Sequence, residues 1–109
     1  MLEKLGLQVI IDRPMGYQDS YGNVYPLNYG YVPGIIGGDG EKQDVYIISK
    51  QVTGPIQVFE GVLVAIIHRQ EDVETKWVAT AVGETISAAA IKAATHYLEQ
   101  YFESTIEML

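Results

Sequence analysis

The sequence predicts a mainly β (α+β) fold, in which short strands form a small closed barrel or sandwich and one C-terminal α-helix packs against it. Short apolar and β-branched runs recur from residue 7 to residue 82 and are separated by turn-forming residues. Residues 15–40 are so rich in glycine, proline and tyrosine that a helix is excluded there. After Gly83 the apolar residues change to helical spacing. The 109 residues fit one domain, 1–109.

The elements follow in order along the chain. Predicted strands cover residues 7–11, 44–49, 57–68 and 76–82, and a further short strand follows a hairpin tip at 21–24 and ends at Tyr31. The barrel is therefore expected over about residues 5–82. Ser87 is a suitable N-cap for a helix over about residues 87–108. Ile91, Leu98 and Ile106 share one face of that helix, which is expected to pack against the barrel wall.

Composition excludes several classes of function. Fourteen acidic residues against seven Lys and Arg give a net charge of −7, which disfavours nucleic acid as a partner. The longest apolar run, residues 62–67, is far below the ~20 residues of a membrane span, so no membrane association is expected. Cysteine is absent, which rules out disulfides and thiol chemistry. The first residues lack the layout of a secretion signal, and we expect a cytoplasmic protein.

An acidic loop at residues 37–44 is the most informative stretch. Asp39, Glu41 and Asp44 follow one another at i, i+2 and i+5, around Gly40. A turn at this glycine can bring the three carboxylates toward one point, as a hard cation with oxygen ligands requires. On spacing alone the pattern is more typical of a solvated acidic turn. A cation site is the alternative.

A tyrosine-rich segment precedes this loop. Tyr25, Tyr29 and Tyr31 alternate with other residues, so in a strand they would share one face. Their hydroxyls can donate to phosphate oxygens, whereas a tyrosine-rich barrel wall is the simpler interpretation when the segment is considered alone.

Together the two segments resemble the core of the soluble (family I) inorganic pyrophosphatases. Tyr-Pro-Leu-Asn-Tyr-Gly-Tyr-Val-Pro-Gly at residues 25–34 is followed by Gly-Asp-Gly-Glu-Lys-Gln-Asp-Val at residues 38–45. The family has Asp-Gly-Asp-Pro-apolar-Asp at this distance after a Tyr-Pro-x-Asn-Tyr-Gly segment. The likeness covers about residues 7–79 and implies a short bacterial version of the family. It also implies an OB-like five-stranded barrel, hydrolysis of inorganic pyrophosphate to two phosphates, Mg²⁺ as cofactor with Mn²⁺ as an alternative, and a homo-oligomer.

The resemblance implies a set of metal ligands. Asp39 and Asp44 match family ligands, and Glu74 of Glu-Thr-Lys matches a third. Glu41 falls where the family has the aspartate that helps to deprotonate the attacking water. A further family aspartate, five positions before the third ligand, falls on Arg69, which cannot bind a cation. Asp72 is our preferred substitute for it, with Glu71 as the alternative, if the loop is shortened.

The resemblance also implies the groups that contact phosphate. Arg13, Tyr29 and Lys76 match such groups, and Tyr101 resembles the helical tyrosine that reaches the product phosphate. The family lysine after that tyrosine is replaced by Phe102. No separate organic cofactor is implied.

The replaced positions leave two interpretations open. Glu41 and Glu74 extend their carboxylates about 1 Å further than aspartate, a displacement that can cost about 100-fold in rate. The first interpretation is a metal-dependent pyrophosphatase or a hydrolase of another small phosphoanhydride. The second is a weak or inactive relative that acts as a metal- or anion-binding or interaction module.

Overall fold

The structure is a computed structural model that describes residues 4–38, 40–70 and 73–109. Two predicted metal ligands, Asp39 and Asp72, lie outside the described residues, as does Glu71. The elements in chain order are β1 (Gly6–Arg13), β2 (Tyr29–Ile36), β3 (Lys42–Ile47), β4 (Val58–Arg69), β5 (Thr75–Thr80), α1 (Ala88–Glu99) and β6 (Ser104–Met108).

Five strands close into a barrel in the order β1-β2-β3-β5-β4. The first strand, β1, pairs antiparallel with β2 and also with β4, where Gly6 lies opposite Val62 and Ile10 opposite Val58. Strands β3 and β5 pair in parallel, with Val45 opposite Trp77. This closed five-stranded mixed barrel, followed by a helix, confirms the predicted fold class.

Alternating side chains place two apolar cores on opposite sides of the sheet. Val45 and Ile47 of β3 lie in the core within the barrel, whereas Tyr46 between them lies in a second core under the helix. Ile91 of α1 packs in that second core, which confirms that the helix lies against the barrel wall. The second core also holds buried tyrosines, and these border the candidate site described below.

A close backbone approach explains one glycine of the tyrosine-rich segment. A Cβ atom at Gly30 would lie 2.0 Å from the carbonyl oxygen of Ile10 on the neighbouring strand. Only glycine permits β1 and β2 to pack this closely. The pairing places Arg13 opposite Tyr29, so two predicted phosphate-contacting residues come from adjacent strands.

The helix is shorter than predicted. Ser87 caps it as expected, accepting a hydrogen bond of 3.1 Å from the Ala90 amide, but the helix ends at Glu99. The prediction of helix to about residue 108 is therefore wrong, because Ser104–Met108 form β6. This strand pairs with the second half of β4, which leaves the helix unable to extend past the turn at residues 101–103. Ile106 fits the helical stripe and an alternating strand equally well, so spacing alone did not separate them.

The predicted strand that ends at Tyr31 also differs. The observed strand begins at Tyr29 and continues to Ile36. Before it, the chain folds back on itself, since Gln18 bridges to Val24 and the Tyr25 amide donates to the carbonyl of Tyr17. Across the described ranges, no helix has the length and apolar character needed to cross a bilayer.

Candidate active site

A cleft of about 540 Å³ lies between the end of α1 and the barrel. Three cationic side chains line it, namely Arg13 of β1, Arg69 of β4 and Lys76 of β5. The remaining lining residues are mostly aromatic or polar: Asp19, Tyr21, Asn23, Tyr25, Tyr29, Leu98, Tyr101 and Phe102. A cavity with convergent cations and hydroxyl groups is suited to an anion with several oxygen atoms.

Lys76 joins two of the predicted metal ligands. Its Nζ atom donates to Asp44 Oδ2 at 2.6 Å and also to Glu74 Oε1. The parallel pairing of β3 with β5 brings Asp44 beside Lys76, and Glu74 immediately precedes β5. Burial lowers the pKa of Lys76 and the bond to Asp44 opposes that shift. Two carboxylates therefore converge on one point that already holds a positive charge.

Tyr29 connects this ion cluster to the tyrosine core. Its buried hydroxyl is hydrogen-bonded to Asp44, and the Lys76 Nζ atom lies 5.6 Å from the centre of its ring. Burial raises the pKa of Tyr29 well above its usual value, and the nearby charge of Asp44 raises it further. The phenol consequently stays protonated and acts as a hydrogen-bond donor.

Arg13 is surrounded by tyrosine rings. Its Cζ atom lies 5.6 Å from the ring centres of Tyr17 and Tyr25 and 5.8 Å from that of Tyr29. Its Nη1 atom donates to the Tyr25 hydroxyl. Burial disfavours the charged guanidinium and is the largest single effect on its pKa, but the hydrogen bond to Tyr25 and the charge interactions with the surrounding tyrosines together outweigh it, so the pKa of Arg13 shifts upward. The rings fix the guanidinium at the wall of the cleft.

A buried ion pair connects β4 to the end of α1. Arg69 Nε and Nη2 donate to the two carboxylate oxygens of Glu99 at 3.0 and 2.7 Å, and the Tyr46 hydroxyl donates to Glu99 Oε2 at 2.6 Å. The Arg69 Cζ atom lies 3.8 Å from the centre of the Phe102 ring. Two positions at which the sequence departs from the family pattern, 69 and 102, are thus in contact.

Tyr101 lies at the rim of the cleft rather than in the helix. Its ring is 65% exposed, and its hydroxyl is 3.4 Å from Asn23 Oδ1 across the opening. Asp19 organises the opposite rim by accepting hydrogen bonds from the amides of Tyr21 and Asn23. Tyr101 can therefore reach a molecule that enters the cleft.

The acidic loop lies against the segment that precedes β5. A Cβ atom at Gly38 would lie 2.2 Å from the carbonyl oxygen of Val73, next to Glu74. Glu41, in the same loop, is exposed. In the ranges 4–38, 40–70 and 73–109, no three acidic or histidine side chains group closely enough to hold a metal ion. The described donors, Asp44 and Glu74, nevertheless suit a hard cation, since both are carboxylates that reach one shared cationic atom.

Most sequence-predicted residues in the described ranges come together. Arg13, Tyr29, Lys76 and Tyr101 line the cleft, and Asp44 and Glu74 contact Lys76. Tyr31 does not join them, because its ring packs against the Lys42 ammonium at 4.2 Å.

Sequence reasoning missed Glu99 and Tyr17, and it did not predict that Tyr25 and Tyr29 pack around Arg13. One signal was available for Glu99. It follows Ile91 and Thr95 at helical spacing on the buried face of α1, and a carboxylate on a buried face requires an ionic partner.

Comparison with known families points to one group. The family described as inorganic pyrophosphatase matches residues 8–107. A segment of 49 residues is 39% identical to the inorganic pyrophosphatase of Aeropyrum pernix and covers 45% of this chain. The matched segment spans 28% of that relative's length. A similar segment of 48 residues is 33% identical to inorganic pyrophosphatase 1 of Pseudomonas syringae pv. tomato.

Solved structures agree on the fold. The inorganic pyrophosphatase of Ehrlichia chaffeensis superposes with a TM-score of 0.70 at 18% identity, over 94% of this chain and 85% of that one. The inorganic pyrophosphatase of Helicobacter pylori gives a TM-score of 0.64 at 21% identity, over 99% and 86% of the two chains. At these identities the likeness concerns the fold alone.

Proposed function

The chain belongs to the inorganic pyrophosphatase family, and we propose that it hydrolyses inorganic pyrophosphate to two phosphates with the help of a divalent cation bound beside its cleft. The observation that carries the proposal is the position of Lys76. Its ammonium contacts two carboxylates and lines the same cleft as Arg13 and Tyr29. The proposed cation site and the proposed anion site would thus share one residue.

The charge balance of the cleft explains why such a reaction needs metal. The three cations that line it are matched by Asp19 in the lining and by Asp44, Glu74 and Glu99, which pair with Lys76 and Arg69. Among the described residues, four acidic groups therefore oppose three basic ones. Pyrophosphate carries several negative charges and would gain little from a cleft without positive excess. A divalent cation adds two positive charges beside the cleft and so offsets this deficit.

Mg²⁺ is the cation we propose, with Mn²⁺ as the alternative. Asp44 and Glu74 would hold it, and Asp39 and Asp72 complete the proposed ligand set. When bound, such a cation screens the phosphate charges and lowers the pKa of a coordinated water.

The residues of the chain position the substrate. Arg13 offers a guanidinium fixed between tyrosine rings, a geometry suited to two phosphate oxygens. Lys76 adds a compact charge, and the Tyr29 hydroxyl orients Asp44. Tyr101 closes over the opening from the rim. Catalysis by positioning and charge stabilisation requires no covalent intermediate.

Glu41 is the proposed proton acceptor for the attacking water. Its place in the acidic loop supports this role, because the loop contacts the segment beside Glu74. The reaction adds water across the phosphoanhydride bond. The water oxygen forms the new bond to phosphorus, its proton passes to Glu41, and the second phosphate leaves.

A phosphate-release assay with pyrophosphate tests the proposal. Release should require Mg²⁺, Mn²⁺ or Co²⁺, stop on addition of fluoride, and collapse in Asp44→Asn. Glu60→Gln is the matched control, because Glu60 is an exposed carboxylate in β4, and it should keep wild-type activity. Undetectable turnover with all three metals would overturn the proposal. Metal binding without turnover would favour the non-catalytic module, and release from a different phosphoanhydride would redirect the substrate assignment.

We further propose a cytoplasmic homo-oligomer. Exposed apolar side chains, among them Val58 and Val82, leave surface for association between copies. Light scattering of the purified protein tests this, and a monomeric mass at micromolar concentration would contradict it.

A further inference from the structure

Arg69 shares the cleft with the two predicted phosphate-contacting cations. It is the last residue of β4, and its side chain lines the same cavity as Arg13 and Lys76. The side chain is only 7% exposed. A buried arginine at the wall of a cleft can stabilise the fold or bind an anion, and its contacts distinguish these two roles.

The guanidinium is held in one orientation. Glu99 accepts two hydrogen bonds from Nε and Nη2, and the Phe102 ring packs over Cζ. Nη1 takes no part in the contact with Glu99. Tyr46 fixes Glu99 in turn through a bond of 2.6 Å. This arrangement immobilises the arginine before any ligand arrives, and a preorganised group loses little conformational entropy on binding.

Stability of the fold is a poor explanation for a buried ion pair here. An ion pair of this kind is often no more stabilising than two apolar residues of the same volume. In addition, Arg69 lines the same cleft as Arg13 and Lys76. Several cationic side chains that line one cleft are typical of an anion site.

We propose that Arg69 binds a phosphate group of the substrate directly, as a third cationic contact beside Arg13 and Lys76. The inference rests on the proposed function for the identity of the anion, an inorganic phosphoanhydride. Nη1, which lies outside the bidentate contact with Glu99, keeps N–H groups that can donate to a phosphate oxygen.

The test measures the affinity for imidodiphosphate, a non-hydrolysable analogue of pyrophosphate, by calorimetry in saturating Mg²⁺. Arg69→Met should weaken binding by ~10- to 100-fold, the usual worth of a hydrogen-bonded charge pair. Lys92→Met is the matched control because it removes an exposed cation from α1, and it should bind within about twofold of wild type.

A double variant keeps the test valid if Arg69→Met alone fails to fold. Arg69→Met/Glu99→Leu replaces the whole ion pair with apolar side chains and leaves no buried charge unpaired. It should lose the same affinity while its circular dichroism spectrum stays native. Wild-type affinity in this folded double variant would overturn the inference, whether or not the protein hydrolyses pyrophosphate. If the wild type binds the analogue but never turns over pyrophosphate, a loss in Arg69→Met still supports the anion contact and only the proposed reaction fails.

Discussion

Replacing Asn28 with alanine removes a side chain that joins two loops. Asn28 is 1% exposed. Its Oδ1 accepts hydrogen bonds from the amides of Met15 at 2.9 Å and Ile56 at 3.2 Å, and its Nδ2 donates to the carbonyl of Gly54 at 3.0 Å. The asparagine of the tyrosine-rich segment thus stabilises the fold rather than contacting the ligand.

The expected cost follows from these three bonds. Asn28→Ala leaves two amide donors and one carbonyl without their partner, and each unsatisfied buried group costs about 1–3 kcal/mol. The loops lie close to solvent, so water can relieve part of this loss. We expect the free energy of unfolding to fall by about 3–5 kcal/mol, a large share of the roughly 5–15 kcal/mol typical of a domain.

Urea unfolding followed by the fluorescence of Trp77, the sole tryptophan, measures this change. Asn23→Ala is the matched control, since Asn23 is half-buried and its side chain makes only a bond of 3.0 Å to Asp19 and a long one of 3.4 Å from the exposed Tyr101 hydroxyl, among the described residues. It should cost about 1 kcal/mol. Equal unfolding free energies for the two variants would refute the structural role assigned to Asn28.

Three further predictions concern a glycine, a carboxylate and a phenol. Gly30→Ala should destabilise the protein by about 3 kcal/mol in the same urea assay, because the added Cβ meets the carbonyl oxygen of Ile10 at 2.0 Å. Hydrogen bonds from the hydroxyl of Thr80 and from neighbouring groups lower the pKa of Glu84 from 4.5 to about 2, so its stabilising effect is complete above pH 4.5 and is lost as the pH falls toward 2. Glu84→Gln should therefore lower the free energy of unfolding at neutral pH. It should also make that free energy less dependent on pH between about 4.5 and 2. Tyr29→Phe should lower kcat/KM for pyrophosphate by ~10- to 100-fold, because it removes a hydrogen bond to a carboxylate of the proposed metal site.

Each of these three predictions has a control variant or an outcome that would contradict it. Gly6→Ala should be neutral to within about 1 kcal/mol, because the nearest atom to its Cβ lies 4.0 Å away. Parallel acid unfolding curves for Glu84→Gln and the wild type would contradict the proposed effect of its lowered pKa. Tyr31→Phe changes a phenol on the same strand but outside the cleft, and it should retain full activity. If it matched Tyr29→Phe, the contact with Asp44 would not be the cause.

A barrel or sandwich could be predicted because the strands carry local signals, and the family resemblance implied the five-stranded barrel. Alternation and β-branched runs identified β1, β3, β4 and β5, whereas β2 begins and ends later than predicted and β6 was predicted as helix. The paired motifs indicated that Asp44, Tyr29 and Lys76 share a site, as the contacts of Lys76 support. The end of the helix could not be predicted in this way. Residues such as Ile106 fit either element, and the choice depends on pairing with β4, which is distant in sequence.

The ion pair of Arg69 with Glu99 could not be predicted from the sequence for a similar reason. The two residues are 30 positions apart, and they meet only because α1 packs across the barrel next to the end of β4. Sequence comparison marked position 69 as a departure from the family pattern but gave no partner for it. Its partner, Glu99, could be identified only from the position of α1 on the barrel.

We propose that Asp44 and Glu74 recruit a divalent cation so that a cleft without positive excess can accept pyrophosphate. Calorimetric titration of imidodiphosphate into metal-free protein and into Mn²⁺-saturated protein tests it most directly. We predict at least ~10-fold tighter binding with Mn²⁺, and no such gain in Asp44→Asn. Equal affinity with and without Mn²⁺ in the wild-type protein would contradict the claim.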